Sequence, residues 1–248
     1  PPRMFTHVYF IDGLLIDTGH VNMRKEICAE LIDLPVDQML ITHHHEDHSG
    51  NTDAVQQLFD CPVYASASCA EIMKSPPPIS PAQYLTWGKY DPYYKFKIAG
   101  DQVKTSNYTF DIIPIPGHAI DMIALHEKEQ GWLFSADLYV YHRIKYFMRA
   151  ESMAEQIESL KIILTLEFDQ MYCSHYPQLD VDPKALLKKK LEFFEDFYGR
   201  VSDFYQKGYD AKRIMQSMGL KEDWNVRLLS LGGLSTLNMV RSVIRDED

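Results

Sequence analysis

The 248-residue chain has no stretch approaching the roughly 20 consecutive apolar residues that a bilayer-spanning helix needs. Its opening, Pro1-Pro2-Arg3-Met4, has no apolar segment of the signal-peptide kind, so a cytoplasmic protein without a membrane partner is expected. Cysteine is sparse: Cys28, Cys61, Cys69 and Cys173 form no CxxC pair and no dense framework, which leaves reduced thiols as the default. Positive charge is short as well. Lys and Arg number 25 against 35 Asp and Glu, and the resulting formal charge of −10 argues against a general nucleic-acid binder, which needs basic surface to displace counterions. Lys188-Lys189-Lys190 is the local exception and reads as the solvated face of a helix. There is no internal repeat, no low-complexity linker and no convincing serine or cysteine nucleophile motif.

The hydrophobic fraction of 46% can fill one sizeable core, or one domain with an appendage. Against that ordinary background one segment stands out. Ile41-Thr42-His43-His44-His45-Glu46-Asp47-His48-Ser49-Gly50 places four histidines and two carboxylates in six consecutive positions behind an apolar, strand-like stretch. Neutral imidazole and carboxylate are the side chains that bind borderline divalent cations. In extended chain, residues two apart point the same way, so His43 and His45 share one direction, Asp47 and His48 lie past the turn, and His44 points elsewhere.

The spacing His43-x-His45-x-Asp47-His48 resembles the signature of the metallo-β-lactamase superfamily, the αββα metallohydrolases. Further landmarks resemble that family in the expected order: Leu14-Leu15-Ile16-Asp17-Thr18-Gly19, Pro116-Gly117-His118, Phe134-Ser135-Ala136-Asp137 and Ser174-His175. The likeness covers roughly residues 5 to 180. It implies an α/β fold, a four-layer αββα sandwich, with one metal bound by His43, His45 and His118, a second by Asp47, His48 and His175, and Asp137 bridging both. It also gives Asp17 a role in holding the metal loop, beside the plain turn-capping role that the sequence equally allows. Relatives have an extra strand or two before the first strand seen here.

A hairpin is expected from Val8–Ile11 and Leu14–Asp17 across Asp12-Gly13. Residues 23 to 33 and 51 to 59 read as helices, Gln38–Thr42 and Pro62–Ala65 as strands. Ser75 to Pro81, with four prolines, breaks the rhythm, and an aromatic insertion (75 to 100) carries Tyr84, Trp87, Tyr90, Tyr93, Tyr94 and Phe96. It reads as a lid or pocket wall, as a contact to a second copy in a homodimer, or as packing on its own domain. Tyr108–Ile115, Met122–His126 and Trp132–Ala136 supply a second sheet, followed by a helix from Ser152 to about Leu166 and a strand Gln170–Ser174. The catalytic domain is thus expected over residues 1 to 180, and residues 181 to 248 form a C-terminal helical extension docked on it. In that extension Leu187, Leu191, Phe194, Tyr198, Val201 and Tyr205 recur at helical spacing behind the cap Asp182-Pro183.

The family pattern implies two divalent metal ions, zinc first for a histidine-rich set, with iron and manganese as alternatives. Two cations sharing a water lower its pKa toward ~7 and produce an attacking hydroxide. Asp47 is then a candidate to orient it or shuttle its proton, and Tyr139 or Tyr141 a candidate donor to an oxyanion. The form of the Thr42–Asn51 segment is similar to glyoxalase II-like thioesterases, which points to a small-molecule ester, thioester or lactone. Ala119 stands where that group has Thr or Ser, and Ala136-Asp137 where it has Gly-Asp. Arg227, Asn238 and Arg241 are the candidates for binding a glutathione moiety. The alternatives are a phosphodiesterase or nuclease of the same superfamily and an iron-dependent oxidoreductase of the same fold.

Overall fold

The computed structural model describes residues 5–177 and 179–247. Strands β1 (Tyr9–Ile11) and β2 (Leu14–Ile16) form the expected hairpin. Its turn residues Asp12 and Gly13 both have positive φ, 48° and 83°, as a two-residue turn matched to strand twist requires. After α1 (Arg24–Leu31), strand β3 (Gln38–Ile41) adds parallel to β2. The histidine-rich segment then opens a single helical turn, α2 (Glu46–Ser49), followed by α3 (Thr52–Phe59), the parallel strand β4 (Val63–Ala65) and α4 (Ala67–Ile72).

The insertion of residues 75 to 100 holds more regular structure than its prolines suggest. Pro81 sits at the first position of α5 (Pro81–Trp87), where a missing N–H costs nothing, and Ser80 and Gln83 form a reciprocal capping box. The segment then ends in β5 (Lys97–Ile98), which pairs with β4 as the last strand of a five-stranded sheet ordered β1-β2-β3-β4-β5. Trp87, Tyr90 and Tyr93 are buried in their own domain, whereas Tyr84 and Tyr94 face solvent.

The second five-stranded sheet is ordered β11-β9-β8-β7-β6. Strands β6 (Gln102–Lys104), β7 (Thr109–Pro114), β8 (Ile123–Glu127) and β9 (Trp132–Ala136) pair antiparallel in turn. Beyond them come β10 (Phe147–Met148), α6 (Met153–Leu164) and β11 (Gln170–Cys173), which joins β9 in parallel. The remaining chain is α7 (Pro183–Gln206), α8 (Ala211–Ser217), α9 (Trp224–Leu229), the short β12 (Leu234–Ser235) paired with β10, and α10 (Thr236–Glu247).

Three apolar clusters define the layers. Leu14, Ile16 and Leu40 from the first sheet meet Phe110, Ile123, Leu125 and Phe134 from the second. Leu15, Met39, Ile41, Val63 and Ala65 alternate to the opposite face, where Leu31, Val55 and Cys69 of the first helical layer cover them. Burial on both faces explains why β2 and β3 read as unbroken apolar runs. On the far side of the second sheet, Ala124, Leu133 and Met171 pack with Ile157 and Leu160 of α6, Leu187, Phe194 and Val201 of α7, and Met239, Val240 and Val243 of α10. The result is a helix-sheet-sheet-helix sandwich. Among the described residues, no helix is long and apolar enough to cross a membrane.

Candidate metal centre

Strands β2 and β3 run parallel, as do β7, β9 and β11, and the polar residues of interest follow the C-terminal ends of these strands. Asp17 follows β2; His43, His45, Asp47 and His48 follow β3; His118 follows β7, Asp137 follows β9 and His175 follows β11. A hydrogen bond from the Ile123 amide to Thr42 O, 3.0 Å, joins the two sheets at this edge. Two glycines permit the close approaches. A Cβ on Gly50 would fall 2.4 Å from Glu46 O and 2.9 Å from Gly19 O, and one on Gly117, whose φ is 125°, would fall 2.4 Å from the Gln156 amide nitrogen. The Ser-Gly and Pro-Gly-His spacings are therefore steric requirements.

The structure brings together all seven residues expected from the sequence. His43, His45 and His118 present ligand atoms within 4.8 Å of one another, as do Asp47, His48 and His175, and as do His43, His48 and Asp137. Asp137 lies between the two triads: its Oδ2 is 3.3 Å from His118 Nε2 and 3.0 Å from His175 Nε2, and its Oδ1 is 3.4 Å from His48 Nε2. Asp47 Oδ2 is 3.4 Å from His175 Nε2 and 3.7 Å from His48 Nε2.

Four of the five imidazoles have their Nδ1 engaged and turn Nε2 inward. His43 Nδ1 meets Thr42 Oγ1 at 3.0 Å, His48 Nδ1 meets Asp17 Oδ2 at 2.8 Å, His118 Nδ1 meets Glu151 Oε2 at 3.4 Å and His175 Nδ1 meets Phe5 O at 2.7 Å. Acceptors placed there hold a proton on Nδ1 and make Nε2 the nitrogen presented inward, which is how a protein orients imidazole for a cation. His45 instead aims Nδ1 inward, 3.1 Å from His43 Nε2 and 3.2 Å from His118 Nε2. One ring nitrogen has either one proton or one lone pair, so these two contacts cannot both be good hydrogen bonds. His48 Nε2 and Asp137 Oδ1 are buried and have no hydrogen-bond partner among the described residues. A cation between these groups would resolve both features, so the residues fit a metal.

Without a metal the electrostatics divide the five rings, lowering two and raising three. Burial, with the neighbouring His48 and His45 respectively His118 adding to it, holds His43 and His45 well below the usual imidazole range. Burial also opposes charge on His48, but Asp137, Asp47 and Asp17 outweigh it and raise that ring well above its usual value. For His118 burial is again outweighed, by Glu151 and Asp137, and the value rises to about 10; for His175, Asp137 and Asp47 lift it to about 8. Asp137 is held well below the ordinary carboxylate range: burial opposes its charge, but His175 and His48 prevail.

The contacts locate several residues that sequence reading missed or left open. Asp17 accepts from the Thr42 amide at 2.8 Å and Thr42 Oγ1 at 2.9 Å besides facing His48, so it organises the loop rather than merely ending a strand. His44 points away, as alternation requires, and pairs with Asp121 at 2.7 Å. Glu46 accepts from Gln83 Nε2 at 2.9 Å, which ties α5 to the histidine segment. Cys173 is buried in the outer core, and burial pushes its thiol up to about 11. Tyr139 is 2% exposed, and among the described residues no hydrogen bond joins its phenol to the seven; Tyr141 is half exposed. Arg227 is committed to Glu222 at 3.0 Å, and Asn238 is buried against the carbonyls of Phe147 and Gly233. Lys190, assigned from sequence to a solvated face, is instead 2% exposed. Its position three after Leu187 and four before Phe194 places it on the buried stripe of α7, a signal that the neighbouring Lys188 and Lys189 obscure.

Ala136, immediately before Asp137, has a left-handed φ of 44°. Relief of that strain by glycine, about 1–2 kcal/mol, is nearly offset by the lost methyl burial, about 0.8 kcal/mol, and by added chain entropy of about 0.4–1 kcal/mol. Ala136→Gly should therefore change stability by less than about 1 kcal/mol, whereas the β-branched Ala136→Val should cost about 2 kcal/mol or more in urea denaturation.

A family model described as the metallo-β-lactamase superfamily matches residues 1–175. Hydroxyacylglutathione hydrolase of Bdellovibrio bacteriovorus is 34% identical over 110 residues, 44% of this chain and 36% of that enzyme. The enzyme of the same name from Aeromonas salmonicida is 25% identical over 221 residues, 87% of this chain and 76% of its own length. The chain therefore spans about a third of the first relative and about three quarters of the second. A crystal structure of a metallo-β-lactamase family protein from Thermus thermophilus superposes on 100% of this chain and 91% of its own, with a TM-score of 0.72 and 15% identity. With its sandwich, its strand-end histidines and a family match over most of its length, this chain belongs to the metallo-β-lactamase superfamily.

Proposed function

We propose that this protein is a dinuclear metal-dependent hydrolase of a small ester, thioester or lactone. The observation that carries the reading is the convergence of seven buried or half-buried donor groups, among them His48 Nε2 and Asp137 Oδ1, which have no hydrogen-bond partner among the described residues. His43, His45 and His118 would hold one divalent cation, Asp47, His48 and His175 a second, with Asp137 shared. Five histidines and two carboxylates suit zinc, and accept iron or manganese. Such a pair of cations, when bound, supplies Lewis acidity toward an acyl oxygen and generates a nucleophile from water near neutral pH.

The chain's own residues do the rest. Asp17, Thr42, Glu151 and the Phe5 carbonyl fix ring orientation through Nδ1. Asp47 is the proposed proton carrier at Oδ2, an oxygen that already accepts from Thr6 Oγ1 at 3.2 Å. Tyr139 is the proposed donor to a developing oxyanion. Burial raises its phenol, aided by Cys173 and by Tyr141 and Tyr176, which keeps the O–H available near neutral pH. Residues 1 to 180 would form the catalytic domain, with residues 181 to 248 as its buttress.

The thioester branch draws support from the hydroxyacylglutathione hydrolases among the relatives. Of the basic run that the phosphodiester branch would draw on, Lys188 and Lys189 reach solvent and Lys190 does not. A panel of thioesters, lactones, aryl esters and bis(p-nitrophenyl) phosphate tests the reading. Hydrolysis of an acyl substrate should vanish on chelation and return with zinc or manganese. Turnover that survives exhaustive chelation, or confined to the phosphodiester, would refute it.

Metal uptake should also depend on pH in a defined direction. In the metal-free chain the rings raised to about 8 and about 10 are protonated at pH 7, and a cation must displace those protons. Apparent zinc affinity should therefore rise with pH through this range. Calorimetry at pH 7 in buffers of different ionisation enthalpy should register release of one or more protons per chain, and none would count against the arrangement.

A further inference from the structure

Lys188 and Lys189 face solvent, while Lys190 turns inward with 2% exposure. Its Nζ donates to Leu138 O at 2.6 Å and reaches Gln156 Oε1 at 3.4 Å, and it lies 5.0 Å from the centroid of the Phe194 ring. Burial lowers its value to about 8, so the ammonium still carries charge at neutral pH. Removing a long cationic side chain from water requires compensation from its partners, and here both partners lead to the candidate metal centre.

Leu138 directly follows Asp137, and its amide donates to Ser135 O at 3.0 Å, closing the turn that carries the aspartate. On the other side, Gln156 Nε2 donates to Glu151 Oε2 at 2.9 Å, the oxygen that faces His118 Nδ1 at 3.4 Å. Glu151 is itself fixed: its Oε1 accepts from the Met148 amide at 2.8 Å, and its carbonyl accepts from Arg245 of α10 at 2.8 Å. The Gln156 backbone is also the wall against which Gly117 closes. Lys190 thus bonds the loop after β9 directly, at Leu138 O, and reaches His118 in the loop after β7 through Gln156 and Glu151.

We propose that Lys190 is a positioning residue that sets the spacing between Asp137 and His118, so that α7 of the C-terminal extension governs metal occupancy. The inference rests on the metal-centre reading above. Among the described residues, neither loop bonds the other through its own backbone, whereas the ordered path His118, Glu151, Gln156, Lys190, Leu138 connects them. Groups that support a ligand in this way typically change metal affinity 10–100-fold when removed.

Zinc affinity measured by competition with a chromophoric chelator tests this, on the wild type, Lys190→Met, Gln156→Met, the double variant and Lys189→Met, each checked for fold by circular dichroism. Methionine keeps the apolar stem against Phe194 and removes the donor. Lys190→Met should bind zinc about tenfold or more weakly, while Lys189→Met, which loses the same charge from the surface, should stay within about twofold of wild type. The double variant should lose less than the product of the two single losses, as members of one path do. A folded Lys190→Met with wild-type affinity, or losses that simply multiply, would overturn the proposal. If Lys190→Met does not fold, Gln156→Met decides: about tenfold weaker binding supports the path, and unchanged binding overturns it. A wild type that takes up no zinc removes the metal-centre reading itself; wild-type binding with equal binding by the variants removes this inference alone.

Discussion

The architecture depends on a concentration of buried lone pairs at one edge of the sandwich. Five imidazoles and two carboxylates present ligand atoms that fall into triads within 4.8 Å, and the two contacts of His45 Nδ1 cannot both be good hydrogen bonds. Burying such groups unpaired is costly, of order 1–3 kcal/mol for each orphaned polar atom. The fold tolerates this by over-determining the outer side of the rings, with Asp17, Glu151, Thr42 and the Phe5 carbonyl as fixed partners. A cation with nitrogen and oxygen preference converts that cost into the driving force for binding.

The layers follow from the same requirement. Parallel-running strands in both sheets deliver their C-terminal ends to one edge, so residues separated by more than a hundred positions meet there without long connections. Apolar alternation in β2 and β3 buries both faces of the first sheet, and that rigidity is what holds Asp17 against the histidine segment. The C-terminal helices complete the second outer layer, and Arg245, Lys190 and Ser242 reach from them into the 147–156 segment that supports His118.

Much of this was legible in the sequence because its signals are local or collinear. The Asp12-Gly13 turn, the run from His43 to His48, Pro116-Gly117-His118 and the α7 stripe each state their geometry within a few residues. Other features depended on tertiary contacts that a linear reading does not contain. Glu151 is a single acid with no flanking pattern, and its role appears only when β10 and α6 bring it beside His118. Strands β10 and β12 are two residues long and exist because they pair with each other. The prolines before α5 disguised a capped helix, and two solvent-facing lysines disguised the third, whose helical register was the better guide.

The most direct test of the account is metal stoichiometry. Elemental analysis of the purified chain after zinc loading and removal of excess should return two equivalents per chain, with a clear loss in Asp137→Ala, since that carboxylate faces both triads. At most one equivalent in the wild type, unchanged by Asp137→Ala, would contradict the dinuclear centre.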